Sequence, residues 1–289
     1  MRARRCLRRL DVTAEMRHIL RPLMRPVDYL FSVGSIRQTI IRLWYPFVTR
    51  RLRGEEILFL NYGFETEPPL GLPLLPADES DRACIQLYHQ VATQVELRGK
   101  RVLEVSCGHG GGASYLTRAV QPSAYTGLDR NAAGIRFCRN RHRVDGLDFV
   151  RGDAGHLPFP AGTFDAVINI EASHCYPEFP RFLAEVARVL RPGGHLLYAD
   201  YRYSDAIAGW EQALAAAPLI LRRSQVINGE VLRGMDCNAP RALDLVARRL
   251  PRFMQGIGRD FAGVPGSHIY EAVRSGQLSY RSYCLQTPG

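Results

Sequence analysis

Long apolar runs are missing from this sequence. No stretch of its 289 residues approaches the ~20 apolar residues that a bilayer-spanning helix requires. The N-terminal segment also lacks the apolar centre and the small-residue cleavage site of a secretory signal. These absences predict a cytoplasmic protein without a membrane-spanning helix. With 46% hydrophobic residues, the chain can bury the core of one globular domain with additions.

Paired cysteines are also missing. The seven cysteines are odd in number and scattered, and none belongs to a C-x-x-C motif. Such spacing offers neither a disulfide framework nor a zinc site. We therefore expect reduced thiols and no metal centre.

The positive charge is confined to one part of the chain. Residues 1–53 hold thirteen arginines and three acidic residues, which accounts for the whole net charge of +10, and the remainder holds 25 residues of each sign. A neutral main body argues against a nucleic-acid-binding face. The basic arm has the charge of a segment that contacts anionic lipid, so peripheral contact with the inner face of the membrane is a hypothesis.

The chain divides into an arm, a connecting region and a main domain. Within the basic arm, residues 1–53, the segment IRQTIIRLWYPFV has apolar residues at helical spacing. It is either a cap helix packed on the main domain or a helix that lies in a membrane interface. Residues 54–97 contain the proline-rich linker PPLGLPLLP and a second cap helix. Residues 98–289 form the main domain.

Short apolar runs alternate with helical patterns between Arg101 and Asp200. This alternation predicts an α/β fold: a doubly wound, Rossmann-like sheet of seven mostly parallel strands with helices on both faces. Residues 206–276 are expected to be largely helical and to form further crossover helices and part of a lid. The final run LSYRSYCLQ alternates as a closing strand does.

The segment VLEVSCGHGGGASYL predicts a strand, a glycine turn and the first turn of a helix, which is a site for an anionic or zwitterionic cofactor. Gly108, Gly110 and Ala113 fit the dinucleotide pattern as well as a looser methyl-donor pattern. Glu104 favours the second, because a carboxylate inside a strand requires a cation or several donors, and an amino-acid ammonium is such a cation. A structural acid is the alternative.

Two further strand ends carry acids. Asp129 ends the second predicted strand, where a carboxylate accepts ribose hydroxyls or caps the following helix. Asp153 and Ala154 follow the third strand, where Asp153 could accept the adenine amino group.

Four ordered motifs, VLEVSCGHGGG, YTGLD, GDAGHLPF and VLRPGG, resemble those of class I S-adenosylmethionine-dependent methyltransferases over residues 98–202. The resemblance implies that Gly108 and Gly110 approach the methionine part of S-adenosylmethionine and that Glu104 anchors its ammonium. It also implies that Asp129 binds the ribose, and Asp153 with Ala154 the adenine. Ser106 departs from the family, which usually has glycine there, so the path of the turn is open.

Further segments, among them LWYPFVTRRL, EEILFLNYGFE and LSYRSY, resemble the mycobacterial phthiotriol/phenolphthiotriol dimycocerosates methyltransferases and the neighbouring fatty-acid and glycopeptidolipid O-methyltransferases. This resemblance implies methylation of a hydroxyl on a large cell-envelope lipid or its glycan. An NAD(P)-dependent oxidoreductase and a non-catalytic membrane adaptor are the alternatives of a different class. Trp44, Tyr62 and Tyr88 are candidates for an acyl channel.

An alcohol that attacks a methyl sulfonium must lose its proton, so a general base is expected near the acceptor oxygen. His174 follows the fourth strand and is the candidate, with an ordinary pKa near ~6.5. Asp200, at the end of the neighbouring fifth strand, could orient its imidazole. Glu171 is a further candidate for contact with the cofactor or substrate. The oligomeric state is left open.

Overall fold

A computed structural model describes residues 57–289. The expectations for the arm of residues 1–53, its amphipathic helix and Trp44 lie outside the described residues. Within the described part, strands and helices alternate through the main domain as predicted. The strands are β1 (Arg101–Val105), β2 (Ala124–Asp129), β3 (Leu147–Arg151), β4 (Phe164–Ile170), β5 (Leu190–Tyr203), β6 (Ile220–Val226) and β7 (Leu278–Gln286).

These strands form one sheet in the order β3-β2-β1-β4-β5-β7-β6. The first five run parallel, and β7 is antiparallel to both of its neighbours. The sheet order reverses between β1 and β4, and ligands of such sheets bind beyond the carboxyl ends of the strands at this reversal. The prediction of a seven-stranded, mostly parallel sheet is therefore confirmed.

Helices cover both faces of the sheet. One face packs against α1 (Arg82–Ala92), α2 (Gly111–Val120), α3 (Ala132–Arg141), α6 (Asn228–Arg249) and α8 (His268–Arg274). The other packs against α4 (Phe179–Val189) and α5 (Ile207–Ala216). A short helix, α7 (Gln255–Ala262), follows α6. Each side of the sheet has its own apolar cluster, and β1 contributes Val102 to one cluster and Leu103 to the other. The alternation of side chains along a strand accounts for this division.

The strand β5 continues beyond Asp200, where the sequence predicted its end. It starts at Leu190, directly after α4, and its pairing with β4 is irregular before His195. It continues to Tyr203 because β7 pairs with it as far as Leu278. Asp200 therefore lies inside the strand and not at its end, which corrects the sequence prediction.

Residues 206–276 are largely helical, as expected, but one segment forms a strand that the sequence did not indicate. Residues Ile220–Val226 form β6, the edge strand of the sheet, and all seven residues are exposed. Its sequence ILRRSQV lacks the alternation of a half-buried strand because neither face is covered. Pairing with β7 is what makes it a strand, and that long-range contact leaves no local pattern.

The segment of residues 57–66 packs against α1 and α6. Its main chain at Gly63 and Phe64 packs directly on Gly234 in α6. A Cβ on Gly234 would lie 2.4 Å from the Gly63 carbonyl carbon and from the Phe64 nitrogen. Main-chain hydrogen bonds from Phe64 to Ala83 and from Glu65 to Glu230 hold the segment on α1 and α6. We refer to residues 57–66 as the front segment.

Replacement of Gly234 by alanine tests this packing. Alanine inside a helix normally stabilises by up to ~1 kcal/mol relative to glycine. Here the added methyl group meets main-chain atoms of the front segment, so we expect Gly234→Ala to lower the free energy of unfolding by about 1–3 kcal/mol. Gly229→Ala in the same helix is the control, since its Cβ meets only the Arg233 side chain at 3.8 Å. Urea unfolding that shows equal effects for the two variants would contradict the described contact.

Candidate active site

The turn between β1 and α2 has an unusual main-chain conformation. Ser106, Gly108 and Gly110 all have left-handed φ angles, of 63°, 56° and 78°. A Cβ on Gly110 would lie within 3 Å of the Phe149 and His142 rings. Glycine is therefore required at Gly110 for both its conformation and its surroundings. The N–H groups at this turn are bonded within the protein: Gly108 donates to Asp129, Gly110 to the Cys107 carbonyl and Gly111 to the Leu58 carbonyl.

Ser106 tolerates its left-handed conformation within a hydrogen-bonded group. Its Oγ lies 2.6 Å from the Tyr176 hydroxyl, and Asn169 Nδ2 donates to that hydroxyl at 2.9 Å and to the Val105 carbonyl at 2.8 Å. The Asn169 Oδ1 is buried without a hydrogen-bond partner. The departure from glycine at Ser106 thus has a structural account, and the acceptor left on Asn169 fits a ligand donor beside β1.

Asp129 lies at the end of β2, as predicted. Its Oδ2 accepts the Gly108 N–H at 3.0 Å, and its Oδ1 accepts the Asn131 N–H at 2.7 Å. Burial raises the pKa of Asp129, whereas these main-chain donors lower it. Asp129 therefore joins the glycine turn to the end of β2, and its contact with a ribose stays a prediction.

Asp153 is exposed after β3, and its Oδ1 accepts the Gly155 N–H at 2.8 Å. Ala154 is partly buried and packs against the apolar cluster under α4. This loop lies beyond the carboxyl end of β3, next to β2 in the sheet. The position suits the predicted adenine contact, which stays a prediction.

Glu104 is fully buried inside β1 and receives its donors from the protein. Tyr88 donates to Oε1 at 2.8 Å, and Tyr125 donates to Oε2 at 2.9 Å. Burial raises the pKa of Glu104 to about 7, although both tyrosine hydrogen bonds act in the opposite direction. The sequence argument that this carboxylate needs a ligand cation is thus weakened. Tyr88 serves Glu104, which accounts for its hydroxyl without the predicted acyl channel.

His174, in the loop after β4, and Asp200, inside β5, form a close pair. The His174 Nδ1 lies 2.8 Å from Asp200 Oδ1, and the side chains are 7% and 0% exposed. The other ring nitrogen, Nε2, lies 3.1 Å from the Tyr201 hydroxyl, and the two rings stack with centroids 4.3 Å apart. The pairing that the sequence predicted is therefore present in the structure.

The charge state of His174 differs from the expectation. Burial lowers the pKa of His174, but its contacts with Cys175 and Asp200 outweigh burial and raise that pKa to about 10. Burial acts against ionisation of Asp200 too, yet His174 and Arg202 hold the pKa of its carboxyl well below the ordinary value. The Asp200 carboxylate thus favours the protonated imidazole, whereas the sequence predicted an imidazole that is mostly neutral at working pH.

Asp200 has further donors that sequence reasoning missed. The Ser173 hydroxyl donates to Oδ2 at 2.6 Å, and the main-chain N–H groups of His174 and Tyr201 donate at 2.9 and 2.8 Å. Arg202 Nη1 lies 3.4 Å from Oδ2. Ser173 directly precedes His174, and Arg202 lies two residues after Asp200, which was the available signal.

Glu171 follows β4 with a left-handed φ of 47°, which is rare for a residue with a side chain. Its Oε1 accepts the Tyr62 N–H at 2.8 Å and the Tyr280 hydroxyl at 2.7 Å. Burial raises the pKa of Glu171 to about 8. Glu171 thus joins the front segment to β7 next to the His174 pair, and its contact with a cofactor or substrate stays a prediction.

The front segment also covers the glycine turn, which the sequence did not indicate. The Leu58 carbonyl accepts the Gly111 N–H at 3.1 Å, and the Ile57 carbonyl lies 2.8 Å from the His109 Nδ1. A Cβ on Gly108 would lie 3.2 Å from the Leu60 side chain. The residues that hold the turn and those around His174 are therefore connected through one segment.

A methyltransferase domain model matches residues 103–198, which include the glycine turn and His174 and end two residues before Asp200. The chain is 57% identical over 251 residues to the phthiotriol/phenolphthiotriol dimycocerosates methyltransferase of Mycobacterium tuberculosis, covering 87% of this chain and 93% of that protein. The protein of the same name from Mycobacterium leprae is 56% identical, with 89% and 96% covered. The chain belongs to this family. It is an S-adenosylmethionine-dependent methyltransferase, which removes the oxidoreductase and adaptor alternatives.

Other relatives extend the comparison. The fatty-acid O-methyltransferase of Mycolicibacterium smegmatis is 50% identical to this methyltransferase, with 88% of this chain and 92% of that protein covered. Among solved structures, the [4+2]-cyclase SpnF has a TM-score of 0.64 at 20% identity, covering 85% of this chain and 94% of that one. A geranyl diphosphate C-methyltransferase from Streptomyces coelicolor has a TM-score of 0.60 at 18% identity, with 86% and 97% covered. These structures show that the fold is shared.

The described residues were also compared with the requirements of a membrane-spanning helix and of a metal site. Between residues 57 and 289, no helix is both long and apolar enough to cross a membrane. Over the same residues, no cluster of three histidine, cysteine or acidic side chains is arranged to hold a metal ion.

Proton release on binding of S-adenosylhomocysteine tests the role of Glu104. If the ligand ammonium contacts this carboxylate, its pKa falls from about 7, and about half a proton per site leaves at neutral pH. Calorimetry in buffers of different ionisation enthalpy measures this number. We expect Glu104→Gln to abolish the release. Glu171→Gln is the matched control, and loss of release in that variant alone would move the ammonium contact to Glu171.

Proposed function

We propose that this methyltransferase transfers a methyl group from S-adenosylmethionine to a hydroxyl of a cell-envelope lipid. The pairing of His174, after β4, with Asp200 on the adjacent β5 is the observation that carries the O-methylation. The names of the relatives supply the acceptor class, which is phthiotriol-type lipid in the closer ones and fatty acid in the third. A phthiotriol or phenolphthiotriol dimycocerosate is the favoured acceptor, and a fatty-acid or glycopeptidolipid hydroxyl is the second candidate.

The residues present fit the donor. The left-handed turn from Ser106 to Gly110 leaves no room for a Cβ at Gly110, Asp129 stands at the end of β2, and Asn169 keeps a free acceptor. When bound, the donor supplies an activated methyl group on a positively charged sulfur. The turn would hold the methionine part, Asp129 the ribose, and Asp153 with Ala154 the adenine. The chain then has to orient the acceptor and remove its proton.

His174 is the base in this proposal. Asp200 fixes Nδ1, so Nε2 is the nitrogen that takes the proton of the acceptor hydroxyl, which replaces the Tyr201 hydroxyl as its partner. With its pKa near 10 the imidazole is mainly protonated in the free enzyme. The positive charge of a bound sulfonium disfavours a second cation nearby and therefore lowers this pKa towards the working range.

The base assignment predicts both a loss and a pH dependence. We expect His174→Gln to lower kcat by about 100-fold or more, since general bases contribute on this scale, with little change in the KM for the donor. In the natural protein activity rises with pH, because only the neutral imidazole accepts a proton. The pH dependence of kcat/KM for the donor reports the enzyme without the donor, and that of kcat reports the enzyme with the donor bound. The rise of kcat/KM should therefore lie at higher pH than the rise of kcat.

Transfer of labelled methyl groups to three purified acceptors measures these quantities: a phthiotriol-type lipid, a long-chain fatty acid and a glycopeptidolipid lacking its methyl groups. The proposal expects the highest kcat/KM with the first. If folded His174→Gln transferred methyl groups at the wild-type rate, His174 would not be the base. If only the fatty acid were methylated, the fatty acid would replace the phthiotriol-type lipid as the proposed acceptor. Both readouts are needed because one concerns chemistry and the other recognition.

Peripheral contact with the membrane through the basic arm is part of the proposal, because the acceptor is a lipid and the arm carries the whole net charge. Each arginine near an anionic surface contributes roughly 1 kcal/mol. We expect replacement of Arg4, Arg5, Arg8 and Arg9 by glutamine to weaken co-sedimentation with phosphatidylglycerol vesicles by about 100-fold or more. The same four-residue variant should bind neutral vesicles as the natural chain does. Unchanged binding to the anionic vesicles would contradict a role for the arm.

A further inference from the structure

Asp200 has a second cationic neighbour that the reaction as described does not use. The Arg202 Nη1 lies 3.4 Å from Asp200 Oδ2, on the side opposite the contact of Oδ1 with His174. The Arg202 side chain is 13% exposed and that of Asp200 is not exposed at all. A fully buried carboxylate is thus shared between an imidazole and a guanidinium.

The guanidinium of Arg202 is fixed from several directions. Its Cζ lies 4.7 Å from the centre of the Trp210 ring and 5.4 Å from that of Phe179. Nη1 donates to the Tyr201 carbonyl at 2.7 Å, and Nη2 donates to the Ser173 Oγ at 2.9 Å. The same Oγ donates to Asp200, so Ser173 connects the arginine to the carboxylate. These contacts hold the charge in one place.

A general base must be neutral before the reaction and cationic after it. If His174 were the sole counter-ion of Asp200, loss of its proton would leave a buried carboxylate without a positive partner, which is strongly unfavourable. The histidine would then keep its proton. Arginine remains charged at every working pH, so with Arg202 present the carboxylate is paired in both states of the histidine.

We propose that Arg202 is a positioning residue that serves as the permanent counter-ion of Asp200 and thereby allows His174 to become a neutral base. This inference rests on the proposed function, because it assigns a role to Arg202 through His174. Arg202 itself need not touch the acceptor or the donor. Its effect is on the pH at which His174 releases its proton.

The other groups around the pair do not replace this charge. Arg281 on β7 lies opposite Asp200 in the strand register, but its guanidinium pairs with Glu211. Among the groups of residues 57–289 that act on the pair, Arg202 has the permanent positive charge. These groups also include an acid, a thiol and tyrosine hydroxyls: Glu171, Cys175, Tyr176, Tyr198, Tyr201 and Tyr280.

The dependence of kcat on pH at saturating donor, between about pH 6 and pH 10, tests the inference. In Arg202→Met the acid limb should move to higher pH by about one unit or more, because loss of the positive charge beside Asp200 leaves the carboxylate to stabilise the protonated imidazole alone. Arg202→Lys keeps the charge and should keep the limb nearly in place. Arg191→Met is the matched control, because Arg191 pairs with Asp165 at the other end of β5.

A merely structural role for Arg202 would lower the rate at every pH without moving the limb, and that result in folded Arg202→Met would overturn the inference. Should this variant fail to fold, Arg202→Gln compared with Arg202→Lys gives the same test. A fully active His174→Gln would instead remove the proposed base. The two failures are therefore distinguishable.

Discussion

The burial of the Asp200 carboxylate is the constraint on which the candidate active site depends. It lies inside β5 with no exposed surface, so every donor around it must be supplied by the protein. Ser173, two main-chain N–H groups, His174 and Arg202 supply them. Because β4 and β5 are adjacent, the loop after β4 brings His174 onto this carboxylate. The orientation of the imidazole therefore follows from the sheet order.

The glycine turn forms the other half of the site. It consists mainly of main-chain groups, whereas the half around Asp200 consists mainly of side chains. Ser106, Gly108 and Gly110 adopt left-handed conformations, and Asp129 accepts from the turn. The front segment links the halves, because its carbonyls meet the start of α2 and its Tyr62 N–H meets Glu171. One stretch of chain therefore contacts both the glycine turn and the residues beside the His174 pair. Burial raises the pKa of Glu171 and that of Glu104.

The sequence predicted what depends on local pattern or on ordered motifs. The strands from β1 to β5, the closing strand, the glycine turn and the pairing of His174 with Asp200 were all available from the order of apolar runs and strand ends. What failed depends on distant contacts. The edge strand β6 exists through its pairing with β7, and the tyrosines on Glu104 come from α1 and β2. The charge predicted for His174 was wrong, because the pKa of its imidazole depends on burial and on its partners together. No sequence motif encodes that combination.

A crystal structure of the complex with S-adenosylhomocysteine and an unmethylated phthiotriol-type lipid tests the central claim most directly. The account predicts the acceptor hydroxyl within hydrogen-bond distance of His174 Nε2 and on the line from the sulfur of the bound product, with Asp200 still on Nδ1. A hydroxyl placed away from His174, with the imidazole still held by Tyr201, would contradict it.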